Sequence, residues 1–488
     1  MIHRFKNNGY YILLDVHSGA VHVVDELAYR IAGFLSADMT ADCPATVYDG
    51  LDADYPKDDI RETYEELYQL YTDGLLFSPD DYEQFADRMV SSPLKAMCLH
   101  VSHDCNLRCR YCFAGQGGYG GTPKVMSLEV AKAAIDFLID KSVGRRNLEL
   151  DFFGGEPLMN FDVVKETVAY ARSLEKKHGK VFRFTMTTNG VLLTDEIADF
   201  LNREMNNVVL SLDGRPEVND AMRPNAGGKG SYAGIVPKYQ RFVAKRGDKD
   251  YYVRGTFTKE NLDFTEDVLH MASLGFDQIS VEPVVSDPSL PFSIREEDLP
   301  RVFEEYDKLA KVILEKKKAG HCFNFFHFML DLDQGPCAIK RLRGCGCGNE
   351  YAAVDPDGGV FPCHQFVGQP EWQMGNVLTG EYDLEQKARF AKATVYQKES
   401  CRSCWAKFYC SGGCNANNLQ YAGDILRAHT LSCELEKKRL ECALMIKAAL
   451  GTAEVMEAAQ AVACEQKTAR FFQMPSCSYF LLSLHSIL

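Results

Sequence analysis

The chain has no uninterrupted apolar run of about 18 residues, the length a helix needs to cross a bilayer, so no membrane span is expected. Positive charge is in deficit: 54 Lys and Arg against 68 Asp and Glu leave a net charge of −14. Nucleic-acid binding needs clustered Lys and Arg against phosphate, and such a partner is not expected. Cysteine is too sparse for a disulfide scaffold, at 18 in 488 residues, well under the roughly 8–10% of such chains. The opening Met1-Ile2-His3-Arg4-Phe5-Lys6-Asn7-Asn8 turns polar too soon for a signal peptide. Cysteines gathered in short motifs without a signal peptide predict metal binding in a reducing cytoplasm. The length predicts about three domains and room for a substantial core.

The most informative of the motifs is Cys105-Asn106-Leu107-Arg108-Cys109-Arg110-Tyr111-Cys112-Phe113, which follows an apolar stretch, Met97–Val101, that reads as a strand. Three thiolates at Cys-x3-Cys-x2-Cys spacing can hold three irons of a 4Fe–4S cluster and leave the fourth open to a ligand. A zinc knuckle usually completes four protein ligands, and this run stops at three.

From about Ser91 to Lys318 strand-like and helix-like segments alternate, which predicts parallel β/α units. Strands are expected at Met97–Val101, Leu148–Phe153, Phe182–Thr187, Asn207–Leu212, Tyr251–Thr256 and Gln278–Val281, with amphipathic helices such as Ser127–Lys141 and Phe161–His178 between them. Six units fall short of a closed eight-unit barrel. In barrels the chemistry gathers at the C-terminal ends of the strands, and Gly154-Gly155-Glu156-Pro157 and Ser211-Leu212-Asp213 fall there. Two glycines let the backbone approach a ligand closely, and Glu156 supplies an acceptor. Thr187-Thr188-Asn189-Gly190 reads either as lining of the same site or as a polar turn, and Arg223 either as part of it or as a loop ion pair.

Before this region, Tyr10–Asp15 and Ala20–Val24 flank His17-Ser18-Gly19 as a hairpin would. Helices are expected at Leu27–Leu35 and Asp58–Tyr71, the second stopped by Gly74. Together they predict a winged-helix-like unit over 1–90. Its best recognition-helix candidate carries Glu62, Glu65, Glu66 and Asp73 against a lone Arg61, so phosphate would repel it.

Beyond residue 320 the cysteines crowd: Cys345-Gly346-Cys347-Gly348, Val360-Phe361-Pro362-Cys363-His364-Gln365-Phe366, Cys401-x2-Cys404-x5-Cys410-Ser411-Gly412-Gly413-Cys414, then Cys433. Glycines among them let backbone amides approach cluster sulfurs. Cys43, Cys98, Cys322, Cys442, Cys464 and Cys477 stand in apolar or helical surroundings and read as core thiols.

The triplet with its flanking Tyr111 and Phe113 resembles the radical S-adenosylmethionine (radical SAM) superfamily. That resemblance implies a partial (β/α)6 TIM-like barrel over 91–320 in an α/β chain. It implies that Cys105, Cys109 and Cys112 hold the cluster that cleaves S-adenosylmethionine to a 5′-deoxyadenosyl radical. Tyr111 is placed beside the cofactor, Gly154, Gly155, Glu156 and Pro157 at its amino group, Ser211 and Asp213 at its ribose, and Arg254 at its carboxylate. The C-terminal pattern resembles the SPASM domain, over 321–450. It implies a distal auxiliary cluster on Cys401, Cys404, Cys410 and Cys433 and a proximal one on Cys345, Cys363 and Cys414, giving three 4Fe–4S clusters in all. Cys337, Cys347 or an open position is left as the fourth proximal site. Residues 451–488 have no assigned role.

Two families with this architecture compete. Anaerobic sulfatase-maturating enzymes place an acidic base directly after the cysteine of their Val-Tyr-Pro-Cys segment, where His364 stands here. The whole combination, including the N-terminal unit, resembles more closely the thioether-forming SCIFF, or ranthipeptide, maturases. That implies a cysteine-rich precursor peptide held through its leader on the hairpin edge of 1–90. It also implies a one-electron reductant such as ferredoxin or flavodoxin, and a cytoplasmic setting. A non-enzymatic iron–sulfur carrier or peptide-binding scaffold is the alternative of another class, and it would need neither the open-site triplet nor Gly154–Pro157.

Overall fold

The structure, a computed structural model, describes residues 1–86, 91–321, 323–330, 332 and 338–466, the side chains of 338, 339 and 452–466 excepted. The expected hairpin is present as β2 (Tyr10–Asp15) and β3 (Val21–Val24), and a further strand, β1 (Ile2–Asn7), pairs antiparallel with β2. The helices α1 (Glu26–Ile31), α2 (Ala45–Leu51) and α3 (Lys57–Thr72) follow. α1 is shorter than expected; α3 ends just before Gly74, whose φ of 72° provides the left-handed exit. Because side chains alternate along a strand, β2 serves two cores. Leu13 packs with Ile31, Val47, Ile60 and Tyr64 of its own unit, whereas Ile12 and Leu14 join the main body. Polar contacts hold the unit there: His3 stacks on Trp405 at 3.8 Å, and Lys407 donates to Asp80 at 2.6 Å.

All six expected strands of the body form, as β4 (Ala96–Ser102), β5 (Asn147–Gly154), β6 (Val181–Thr188), β7 (Asn207–Ser211), β8 (Asp250–Phe257) and β9 (Gln278–Pro283). Each pairs in parallel with the next. Leu99, Val101, Leu150, Phe152 and Phe184 are completely buried between the sheet and its helices. The helix Leu128–Lys141 starts on the Ser127 side chain, which accepts from Val130 N. Phe161–His178 ends on Gly179 at φ 63°, with three basic residues in its last turn.

The sheet does not stop at the sixth strand. β10 (Asn324–Phe325) adds in parallel to β9, and β11 (Tyr351–Val354) adds in parallel to the other edge, on β4, with Ala353 opposite Cys98. β12 (Gly359–Phe361), β13 (Gly375–Asn376) and β14 (Glu381–Tyr382) continue it antiparallel, to eleven strands. The boundary expected near residue 320 is therefore crossed by main-chain hydrogen bonds. A 37-residue helix, Thr430–Gln466, packs along Leu299–Lys318 and runs into the expected tail. Residues 467–488 lie outside the described residues. Among the described residues no helix is long and apolar enough to cross a membrane.

Candidate active site

The cysteine triplet sits in the loop leaving β4. Close approach of the β5 loop holds it from behind, with Gly155 N donating to Ser102 O at 2.7 Å and Glu156 N to Asp104 O at 2.9 Å. A Cβ on Gly154 would stand 2.2 Å from Ser102 O, and one on Gly155 would stand 2.1 Å from Asp104 O, so only glycine fits at either position. From the other side Arg108 N donates to Pro224 O at 2.7 Å and Arg110 N to Met222 O at 2.9 Å. Asn189 Nδ2 reaches Cys105 Sγ at 3.5 Å.

Cys105, Cys109 and Cys112 line one cavity of about 150 Å³ at the C-terminal ends of the strands. Tyr111, Gly154, Gly155, Glu156 and Ser211 share its wall. Thr187, Thr188 and Asn189 line it too, so that stretch is more than a turn. The buried Glu156 carboxylate accepts from Leu158 N at 3.0 Å, Thr188 Oγ1 at 2.8 Å and Asn189 N at 2.7 Å. Burial pushes its pKa up, and these three donors oppose the shift.

Three expected cofactor residues stand elsewhere. Pro157 is buried at the first position of a 3₁₀ turn behind the cavity. Asp213 is fully buried and turned away, accepting from the Tyr111 hydroxyl at 2.7 Å and Thr256 N at 3.1 Å. Arg254 is paired with Glu282 and does not line the cavity. Arg223 does line it: 8% exposed, it donates from Nη1 to Tyr111 Oη at 2.7 Å, and its buried Nε has no hydrogen-bond partner among the described residues. Both readings that the sequence left open for Arg223 hold, since it lines the cavity and stands 3.7 Å from Asp213.

In the C-terminal part the expected groupings assemble. Burial raises the thiol pKa of Cys401, Cys410 and Cys433, and each is raised further by its neighbours in this group, Cys404 among them. Burial, then the neighbouring Cys363, raises the thiol pKa of Cys345 and Cys414, whereas a hydrogen bond from the Cys347 thiol lowers that of Cys363. Cys337 lies outside the described residues. Burial pushes Cys105 and Cys414 up to about 12, and Cys410 and Cys433 up to about 11. Unligated, these thiols stay protonated, and metal must displace their protons. Among the described residues no three His, Cys, Asp or Glu side chains converge tightly enough for a single ion. Cys105, Cys109 and Cys112, spread around one cavity, suit a cluster several ångströms across. Of the expected core thiols, Cys98 and Cys442 are buried and Cys43 is partly exposed. Cys322 and Cys477 lie outside the described residues, as does the side chain of Cys464. His364 faces the aromatic rim of the cavity, 5.2 Å from Phe153 and 5.6 Å from Phe113 between ring centroids.

Comparison with known proteins agrees with this geometry. Residues 99–283 match the radical SAM superfamily, and residues 345–405 match the SPASM iron–sulfur cluster-binding domain. The chain is 21% identical over 459 residues to the radical SAM cyclopropyl synthase TigE of Paramaledivibacter caminithermalis, covering 88% of this chain and 91% of that one. It is 23% identical over 342 residues to a cysteine-type anaerobic sulfatase-maturating enzyme of Clostridium novyi, covering 66% and 88%. The structure of native anSMEcpe with bound AdoMet superposes with a TM-score of 0.62 at 20% identity, covering 73% of this chain and 99% of that one. The chain thus has the radical SAM α/β fold joined to a C-terminal SPASM domain, and it is a radical SAM enzyme related to the anaerobic sulfatase maturases.

Proposed function

We propose that this enzyme forms thioether cross-links in a small cysteine-rich precursor peptide. Cys105, Cys109 and Cys112 would hold the cofactor cluster, Gly154, Gly155 and Glu156 the amino end of S-adenosylmethionine, and Ser211 its ribose. Arg223, whose unpaired Nε stands at the cavity wall, takes the methionyl carboxylate in place of Arg254. The remaining cysteine groups would hold two auxiliary clusters, with Cys347, Cys337 or an open position as the fourth proximal site. When bound, the cluster and S-adenosylmethionine supply a carbon-centred radical that removes a hydrogen atom from the peptide.

The protein's own residues shape the encounter. Phe113 and Phe153 form a partly apolar rim where an extended peptide can lie. His364 closes that rim with a ring and carries no carboxylate. This substitution carries the choice of reaction, because sulfatase-type oxidation relies on an acidic base at that position. The three-stranded sheet of residues 1–24 leaves β1 and β3 as edges to which a leader strand can add. Similarity to the cyclopropyl synthase extends over 88% of the chain and to the sulfatase maturase over 66%, in keeping with an element beyond the maturase core.

Sulfatase-type oxidation is the second reading, favoured by the match to cysteine-type maturases. Product analysis separates them. A thioether consumes one alkylatable thiol per bridge, resists reductants that open disulfides, and gives fragment ions joining two residues. A product that reacts with hydrazine and carries no linked fragments would establish the second reading. Loss of two hydrogens with every thiol still alkylatable would instead indicate carbon–carbon bond formation.

A further inference from the structure

Lys398 is 1% exposed. Its ammonium donates to Gly412 O at 2.7 Å and Asn415 Oδ1 at 3.0 Å, both neutral. No carboxylate pairs with it among the described residues. A buried ammonium without a counter-charge is costly even after relaxation. Burial lowers its pKa, and the groups that oppose the shift are the thiols of Cys401 and Cys410 on one side and of Cys414 and Cys345 on the other. Those four belong to the two different cysteine groups described above.

We propose that Lys398 is the shared counter-cation of the two auxiliary clusters, holding the Cys410–Cys414 crossover in place and setting the reduction potentials of both. The assignment rests on the auxiliary-cluster reading. Thiolate-ligated clusters supply on both sides the negative charge that the protein itself does not provide. The crossover is built to accept the lysine. Gly412, at φ 86°, turns its carbonyl to the ammonium, and a Cβ there would stand 3.0 Å from Nζ. Asn418 Nδ2 donates to the same carbonyl at 3.1 Å. Cys401 N donates to Lys398 O at 2.9 Å, so the lysine is tied to the distal group through its main chain as well. A positive charge beside a cluster favours its reduced form, and removing it lowers the potential.

The test is a redox titration, followed by electron paramagnetic resonance, of the reconstituted full-length protein in a Cys105→Ala/Cys109→Ala/Cys112→Ala background, where only the auxiliary clusters report. Lys398→Met is expected to lower the reduced-to-oxidised ratio of both clusters about tenfold at fixed potential, equivalent to about 59 mV for one electron. Lys398→Arg should stay within about threefold of the parent. Unchanged potentials in Lys398→Met with iron retained overturn the assignment, and a shift in one cluster alone overturns the sharing. If Lys398→Met loses its iron, Lys398→Arg decides: parental iron content supports the charge role, and equal loss overturns it. A parent protein without auxiliary iron would instead remove the cluster reading, and this assignment with it.

Discussion

The hydroxyl of Tyr111, inside the cysteine triplet, donates to the carboxylate of Asp213 at 2.7 Å, and Arg223 Nη1 donates in turn to Tyr111 Oη at 2.7 Å. Asp213 and Arg223 are themselves 3.7 Å apart. The triplet loop is thereby keyed to the end of β7 by a buried, charge-assisted chain.

Breaking that key should be measurable in two ways. Tyr111→Phe leaves one acceptor and one donor short of a partner and should cost about 1–3 kcal/mol in denaturant unfolding. Arg223→Met should in addition weaken S-adenosylmethionine binding tenfold or more by equilibrium dialysis.

Gly155→Ala places a methyl group 2.1 Å from Asp104 O, a backbone atom with nowhere to go. The loops must part, breaking the 2.9 Å bond from Glu156 N to that oxygen. Cofactor cleavage should fall at least a hundredfold, read as 5′-deoxyadenosine released by reduced enzyme.

Cys109→Ala removes one of three cluster ligands. It should abolish 5′-deoxyadenosine formation and lower iron content by about one cluster's worth while the other cysteine groups keep theirs. Unchanged cofactor cleavage would contradict the assignment of the triplet.

Asp151, opposite Cys98 on β4 and Thr185 on β6, points along the same face of β5 as Phe153. Burial, with Glu149 adding to it, lifts its pKa to about 7 from a reference of 3.8, against a hydrogen bond from Thr185 and the charge of Lys95. A carboxyl raised on folding binds its proton more tightly in the native state, so its stabilising contribution is full below about pH 4 and is lost as pH rises through 7. Asp151→Asn should therefore gain most in Tm relative to the parent at pH 8 and least at pH 4 to 5.

The N-terminal unit can be tested by a point change. Removing it whole would expose Trp405 and strand Lys407, which Asp80 neutralises. Val23 on edge strand β3 is 38% exposed. Val23→Asp should shift Tm by about 2 °C or less yet weaken leader-peptide binding tenfold by fluorescence anisotropy, with cofactor cleavage unchanged. Unaltered peptide affinity would move the leader site elsewhere.

The body of the fold was legible because β4 is buried along its whole length and β5 and β6 alternate buried with half-exposed residues, between helices that start on Ser127 and Thr194 caps or end on Gly179. β1 escaped notice because Ile2-His3-Arg4-Phe5-Lys6-Asn7 buries only Phe5 and Asn7, too little apolar alternation to mark a strand. β10 and β13 are two residues each, below the length at which periodicity exists. In the cofactor site the motifs located the loops but not the facing of side chains. Asp213 sits just past the end of β7 and Arg254 within β8, as expected, yet one turns inward to Tyr111 and the other pairs with Glu282. Only tertiary contacts decide such a choice.

The pairing of β11 with β4 bears on how this protein is made. β4 carries the triplet at its end, and one of its neighbours, residues 351–354, lies some 250 positions later in the chain. At a synthesis rate of roughly 5–20 residues per second, that edge of β4 stays open on the ribosome for on the order of tens of seconds. During this interval a strand that is fully buried in the finished fold lies open beside three unligated thiols, a combination prone to aggregation and oxidation. Expression under anaerobic conditions at low temperature, with iron supplied during rather than after synthesis, follows from the topology.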